Sequence, residues 1–123
     1  MKKKAPLSVL CIGTDPVNLN LRCSALKDQG WDVVSSGSGH DGVFRFGKQH
    51  FDAVVLDLND DGAEAALIAS ELKRQIPTTT VVMVIPSSTG LMPGATAQAD
   101  AVVLKSQERR VLAVQIEKLL RPI

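Results

Sequence analysis

Asp57 is the residue whose type and placement offer the most chemistry. It closes the stretch Phe51-Asp-Ala-Val-Val-Leu-Asp57, in which four apolar residues, 53 to 56, are bounded by an acid on one side and by a polar turn running to Gly62 on the other. A short apolar run of this kind reads as a strand buried on both faces, as a parallel sheet covered by helices requires. Asp57 then stands at the carboxyl end of that strand, the edge of an open α/β sheet where ligands bind and chemistry happens. The alternative is that Asp57 only starts the turn or caps the next helix. Lys105 closes a second apolar run, 101 to 104, and would stand at the same edge, setting an ammonium against the carboxylate. A lysine before a helix can equally be a solvated side chain.

Other polar residues are read more simply. Asp15 precedes Pro16, the pairing of an N-cap with a proline at the first helical position. Asp60 and Asp61 suit a turn and a cap. His40 and His50 have no partner at catalytic spacing, and Cys11 and Cys23 lack metal-type spacing, with Cys11 inside an apolar strand as a buried thiol.

The elements that would position Asp57 and Lys105 follow one another regularly. Residues 7 to 12 predict a strand. A helix begins at Asp15-Pro16, carries Val17, Leu21 and Ala25 on one line and Leu19, Cys23 and Leu26 beside it, and stops at Gly30. Residues 31 to 36 predict a strand, and 38 to 50 a weaker helix burdened by glycines at 39, 42 and 47. After the Asp57 strand, Asp61 with Glu64 resembles a capping box for a helix whose stripe runs through Ile68, Leu72 and Ile76 to Pro77. Residues 80 to 85 form a β-branched strand. Pro93 and Gly94 leave any helix over 90 to 99 short or broken. After the fifth strand, Ser106 is expected to cap a last helix that buries Leu112, Ile116, Leu119 and Leu120. The pattern is (βα)5, and alternating strands and helices imply right-handed crossovers and a parallel sheet.

Composition bounds the function. The chain has 123 residues, which suits one domain, with 14 basic and 13 acidic residues. That balance does not point to nucleic acid or an anionic membrane. No run is long enough to span a bilayer, and the segment after the basic start is too short for a signal peptide. The expectation is a reduced, cytoplasmic domain over 7–121 after a flexible basic N-terminus, 1–6.

From about Leu7 to Arg121 the chain resembles the receiver domain of bacterial two-component response regulators. The resemblance rests on the Asp57 strand, the Asp15-Pro16 helix start, and the segment Ala99-Asp-Ala-Val-Val-Leu-Lys105 before the last helix. It implies a flavodoxin-like fold, a five-stranded parallel sheet in the order 2-1-3-4-5 with helices on both faces. It also implies a phosphoryl group accepted on Asp57 from a histidine kinase or phosphotransfer protein, Mg²⁺ at the site, and a changed affinity for a downstream protein partner. Phosphoryl transfer asks a protein for positioning and charge neutralisation, because a carboxylate meets an already anionic group. Mg²⁺ wants oxygen ligands in near-octahedral geometry.

Carried over position by position, the resemblance makes Asp57 the phosphoacceptor and a metal ligand, Asn59 the backbone-carbonyl metal ligand and Lys105 the phosphate partner. The two acids the family places at the end of strand one fall on Gly13 and Thr14. Asp15, one residue later, is the remaining acid that could reach a metal, although its place before Pro16 marks it as a cap. Ile85 falls where a strand-four hydroxyl reports phosphate, and Ser87 is the substitute just beyond it. Val102 takes the place of the aromatic switch residue of strand five, and Ser106 that of the proline after the lysine.

Two functions follow: a stand-alone response regulator receiver, not an enzyme, phosphorylated weakly or atypically on Asp57 with weakly bound Mg²⁺; or a phosphorylation-independent pseudo-receiver that binds proteins, with Lys105 holding Asp57. A flavodoxin-like enzyme or nucleotide binder is disfavoured by the absence of a glycine-rich phosphate loop after strand one and by few aromatics.

Overall fold

The structure is a computed structural model that describes residues 5–57 and 61–121. Five strands, β1 (Ser8–Gly13), β2 (Asp32–Ser36), β3 (Ala53–Asp57), β4 (Thr80–Ile85) and β5 (Ala101–Leu104), form one parallel sheet in the order β2-β1-β3-β4-β5. Four helices cover it: α1 (Pro16–Lys27), α2 (Gly39–Phe46), α3 (Ala63–Gln75) and α4 (Glu108–Leu120), the last entered through a 3-10 turn, Lys105–Gln107. The parallel sheet is the one expected from the alternation of strands and helices, and the strand order is the one the resemblance implies.

Two apolar layers hold the sheet between the helices. One joins Val9, Cys11 and Val55 to Leu19, Cys23 and Leu26 of α1 and to Leu112 and Ile116 of α4. The other joins Leu10, Ile12 and Leu56 to Phe46 of α2 and to Ala65, Ala69 and Leu72 of α3. All five residues of β3 are buried, so the run is apolar without alternation, as a central parallel strand requires.

Several expectations change. The (βα)5 pattern loses its fourth helix: residues 86–100 are turns, with Gly90 and Gly94 at positive φ of 84° and 78°. Of the short or broken helix expected over 90 to 99, the broken alternative is the one found, as Pro93 and Gly94 suggest. The capping box at α3 does not form. Gly62, at a φ of 92°, is the N-cap, and Asp61 accepts from the Ala63 N–H at 3.1 Å. A Cβ on Gly62 would stand 2.6 Å from that of Ala95, so the chain needs glycine there for space as well as conformation.

Ser106 does not cap α4 either. Gln107 occupies the cap position without a side-chain bond, because the 3-10 turn delays the helix to Glu108. Leu112 and Ile116 are buried as the stripe predicts, while Leu119 is exposed. On α3, Ile76 is exposed and Ala65 and Ala69 carry the buried stripe with Leu72. The glycines of α2, read from sequence only as a burden, have a packing reason: a Cβ on Gly42 would meet Ile12 at 2.3 Å, so the helix lies close on β1.

Candidate functional site

The strand register sets Gly13 of β1 beside Asp57 of β3, at the carboxyl edge of the sheet. Lys105 enters directly after β5 ends at Leu104, whose partner on β4 is Ile85. The topology therefore brings Asp57 and Lys105 together, and Lys105 Nζ lies 3.1 Å from Asp57 Oδ1. Asp57 is 3% exposed.

A third charge meets them that the sequence reading missed. Arg22 of α1 donates from Nη2 to Asp57 Oδ2 at 2.8 Å. The same guanidinium donates from Nε and Nη2 to Glu108 Oε2 and Oε1, at 2.5 and 2.9 Å. Glu108 is the first residue of α4. Three contacts in a row make an open ring of alternating charge: Lys105, Asp57, Arg22 and Glu108. Burial disfavours the charged guanidinium, but its hydrogen bonds to Glu108 and Asp57 outweigh that and hold the Arg22 pKa above its ordinary value.

The buried stripe of α1 explains how Arg22 gets there. Leu19, Arg22, Cys23 and Leu26 are its buried residues, spaced i, i+3, i+4, i+7. Val17 and Leu21, the other apolar line of the sequence reading, are 66% and 65% exposed. An arginine in the second place of an otherwise apolar stripe calls for a buried acid, and that spacing was the signal available. Nothing local pointed to Glu108, whose contact spans 86 residues of sequence.

The remaining site candidates lie elsewhere. Asp15 accepts from the N–H groups of Val17 and Asn18 at 3.0 and 3.3 Å and from the Asn18 side chain at 3.1 Å, as the N-cap of α1. Ser87 lies beyond Pro86, exposed, with its hydroxyl 3.0 Å from that of Thr89 and accepting from the Thr89 N–H. Asn59 and Asp60 are outside the described residues. Val102 is 44% exposed on β5. His50 pairs with Asp52 at 3.0 Å on an exposed surface.

The described residues do not fit a divalent cation at Asp57. No group of three His, Cys, Asp or Glu side chains among them could hold a metal. Both carboxylate oxygens of Asp57 are engaged by cations, and the space beside Gly13 belongs to Arg22: a Cβ on Gly13 would stand 3.3 Å from the Asp57 carbonyl oxygen and 3.5 Å from Arg22 Nη1. That Nη1 is buried and has no hydrogen-bond partner among the described residues. Beside Asp57 this chain places a glycine and a guanidinium.

Comparison with known proteins gives the following. No protein-family model matches the chain. It is 31% identical over 123 residues to the transcriptional regulatory protein TrcR of Mycobacterium tuberculosis, and 25% identical over 118 residues to the probable transcriptional regulatory protein TcrX of the same organism. These matches cover 95% and 94% of this chain but 46% and 50% of the relatives, so the chain spans about half the length of the curated relatives it matches. The response regulator TrrA of Thermotoga maritima, solved with Mg²⁺ and beryllofluoride, superposes with a TM-score of 0.82 at 21% identity, covering 91% of this chain and 97% of that one. Chemotaxis protein CheY4 of Vibrio cholerae superposes with a TM-score of 0.82 at 17% identity, over 94% of this chain and 100% of that one. TrrA in complex with the histidine kinase ThkA superposes with a TM-score of 0.79. No helix among the described residues is long and apolar enough to cross a membrane.

Proposed function

We propose that this chain, whose fold is that of the response regulator receiver domain, is a pseudo-receiver: a protein-binding module of two-component or phosphorelay signalling whose state does not depend on phosphorylation of Asp57. The observation that carries the reading is the buried ring. Arg22 and Lys105 each hold one oxygen of the Asp57 carboxylate, and Arg22 is itself held by Glu108. A carboxylate that is to attack phosphorus must come free of its partners, and the transition state needs a cation over the transferred oxygens. Here the nearest cation is a guanidinium already neutralised by two carboxylates. Mg²⁺ binding is correspondingly weak, because one carboxylate cannot offset the repulsion from Arg22 and Lys105.

Protein binding is supported by exposed apolar residues on the helices, notably Val17 and Leu21 one turn apart on α1. The ThkA–TrrA complex makes a histidine kinase, or a phosphotransfer protein, the class of partner to try first, with a downstream protein as the second. Together with the absence of a membrane-crossing helix among the described residues, this suits action in the cytoplasm.

The second reading, weak phosphorylation of Asp57, draws support from the position of Asp57 at the strand end with Lys105 beside it. Incubation with acetyl phosphate and Mg²⁺, followed by intact-mass spectrometry, separates the two. The pseudo-receiver reading expects no phosphoryl adduct. An adduct that disappears in Asp57→Asn would establish the other.

A further inference from the structure

Glu108 has a role in this ring that neither the fold nor the pairing of Asp57 requires. One short connection, the 3-10 turn after β5, carries a cation to Asp57 through Lys105 and, three residues on, an anion to Arg22 through Glu108. Glu108 meets the guanidinium with two bonds, at Nε and Nη2. This is the parallel, two-pronged arrangement in which arginine recognises carboxylates and phosphates alike. The Glu108 side chain is 17% exposed, against 1% for Arg22 and 3% for Asp57. Of the buried ion pair's acids it is therefore the one whose release to water restores hydration most readily. The four formal charges of the ring cancel, two against two. Without the Glu108 carboxylate the ring carries a net positive charge, and the edge of the Arg22 guanidinium is open along the path that Glu108 now fills.

We propose that Glu108 is a built-in occupant of an oxyanion site on Arg22, and that by filling and neutralising the arginine it closes this end of the sheet to phosphate. The ligand class is a tetrahedral oxyanion held without a metal. The inference rests on the reading in which Arg22, and not Mg²⁺, is the cation of the Asp57 site.

The test removes the occupant and asks whether phosphate takes its place. Wild type, Glu108→Ala and Glu108→Gln are unfolded thermally in EDTA with increasing inorganic phosphate, against chloride at matched ionic strength. The Ala variant empties the site; the Gln variant keeps the shape, loses the charge and serves if the Ala variant does not fold. The expected result is a saturable rise in Tm for the variants, larger for Ala, with wild type unmoved, as for a ligand that binds only the folded state. Arg22→Lys in the Glu108→Ala background should lose most of that rise, since an ammonium lacks the guanidinium's two-pronged geometry. A variant that folds but gains no phosphate-specific stabilisation overturns the proposal, as does a rise equal in wild type and variants. Phosphoryl labelling of wild-type Asp57 is a separate outcome: it would sink the pseudo-receiver reading while leaving the phosphate comparison to stand or fall alone.

Discussion

Two sets of ion pairs in this molecule differ in everything but their chemistry. The ring at Asp57 joins β3, α1, the 3-10 turn after β5 and α4, with Arg22 and Asp57 almost withdrawn from water and Glu108 and Lys105 partly so. The pairs Arg45–Asp41 on α2 and Arg74–Glu71 on α3 span one helical turn each, with side-chain exposures of 48% and 41%, and 70% and 35%. Exposed pairs of this kind add little, because water and salt compete for both partners. A buried ring is another matter: desolvation offsets much of its attraction, yet losing one member strands the rest. The lesson is that the Asp57 ring is poorly accounted for as a device for stability. An apolar cluster of the same volume would serve the fold as well, so the ring must be explained by what it does to Asp57.

The largest expected effect follows from that asymmetry. Arg22→Met should cost about 3 to 5 kcal/mol in urea unfolding, the range for an interrupted buried ion pair. Combining it with Asp57→Leu should recover most of the loss, since the stranded carboxylate goes with its partner. If the double variant is as unstable as the single one, the ring is a source of stability after all and the contrast with the surface pairs fails.

Next in size is Gly13→Asp. In a metal-binding receiver an acid here would add repulsion to Asp57, but the Gly13 Cβ position lies 3.5 Å from Arg22 Nη1, which has no hydrogen-bond partner among the described residues. The variant should therefore keep its stability, or gain up to about 1 kcal/mol, the scale of a net intramolecular hydrogen bond. In the Arg22→Met background the same substitution should destabilise. A double-mutant cycle showing no coupling between positions 13 and 22 would place the new carboxylate elsewhere.

Lys73 sharpens the comparison from the other side. It donates to the Thr79 carbonyl at 2.6 Å and to Asp100 Oδ2 at 2.7 Å, tying α3 to the chain on either side of β4, and its side chain is 19% exposed. Lys73→Ala should cost about 1 kcal/mol, at the upper end for a partly exposed pair. Glu71→Ala should leave the unfolding midpoint unchanged, although Arg74 and Gln75 hold the Glu71 carboxyl down to about 2.

The smallest effect is chemical. The Cys23 thiol, beside Arg22 on α1, is lowered to about 7, first by its hydrogen bond to Cys11 and then by the charges of Lys27 and Arg22, against the opposing effect of burial. Cys11 is raised above the ordinary thiol range by that same bond and by burial. Alkylation of the native protein should therefore fall on Cys23, with a midpoint near pH 7. Because its folded pKa is depressed, the stability this thiol contributes is present at alkaline pH and is lost as pH falls through 7. Alkylation with the midpoint of an ordinary thiol would show that the Cys11 bond does not hold the Cys23 thiolate.

Much of the fold was legible from the chain alone. Apolar runs without alternation marked β1, β3 and β4, and Asp15-Pro16 marked the start of α1, because strand burial and helix capping are written in neighbouring residues. The edge position of Asp57 and Lys105 followed from strand order. The burial of Arg22 was signalled by its place in the α1 stripe, but its pairing with Glu108 was not, since that depends on where a 3-10 turn delivers the first residue of α4, a tertiary outcome with no local signature. The cap of α3 failed for the same reason: Ala95, from a distant loop, decides that glycine stands there. Asn59, the expected backbone ligand, lies outside the described residues.

The most direct test of the central claim, that Arg22 and Lys105 close Asp57 in place of a metal, is an amide NMR titration with Mg²⁺ and then with beryllofluoride. The account predicts that Gly13, Asp57 and Val102 keep their shifts, and that the Arg22 Nε–H signal, bonded to Glu108, stays sharp and unmoved. Large, saturable shifts at Gly13 and Asp57 with Mg²⁺, extending to Val102 and along α4 when beryllofluoride follows, would contradict it.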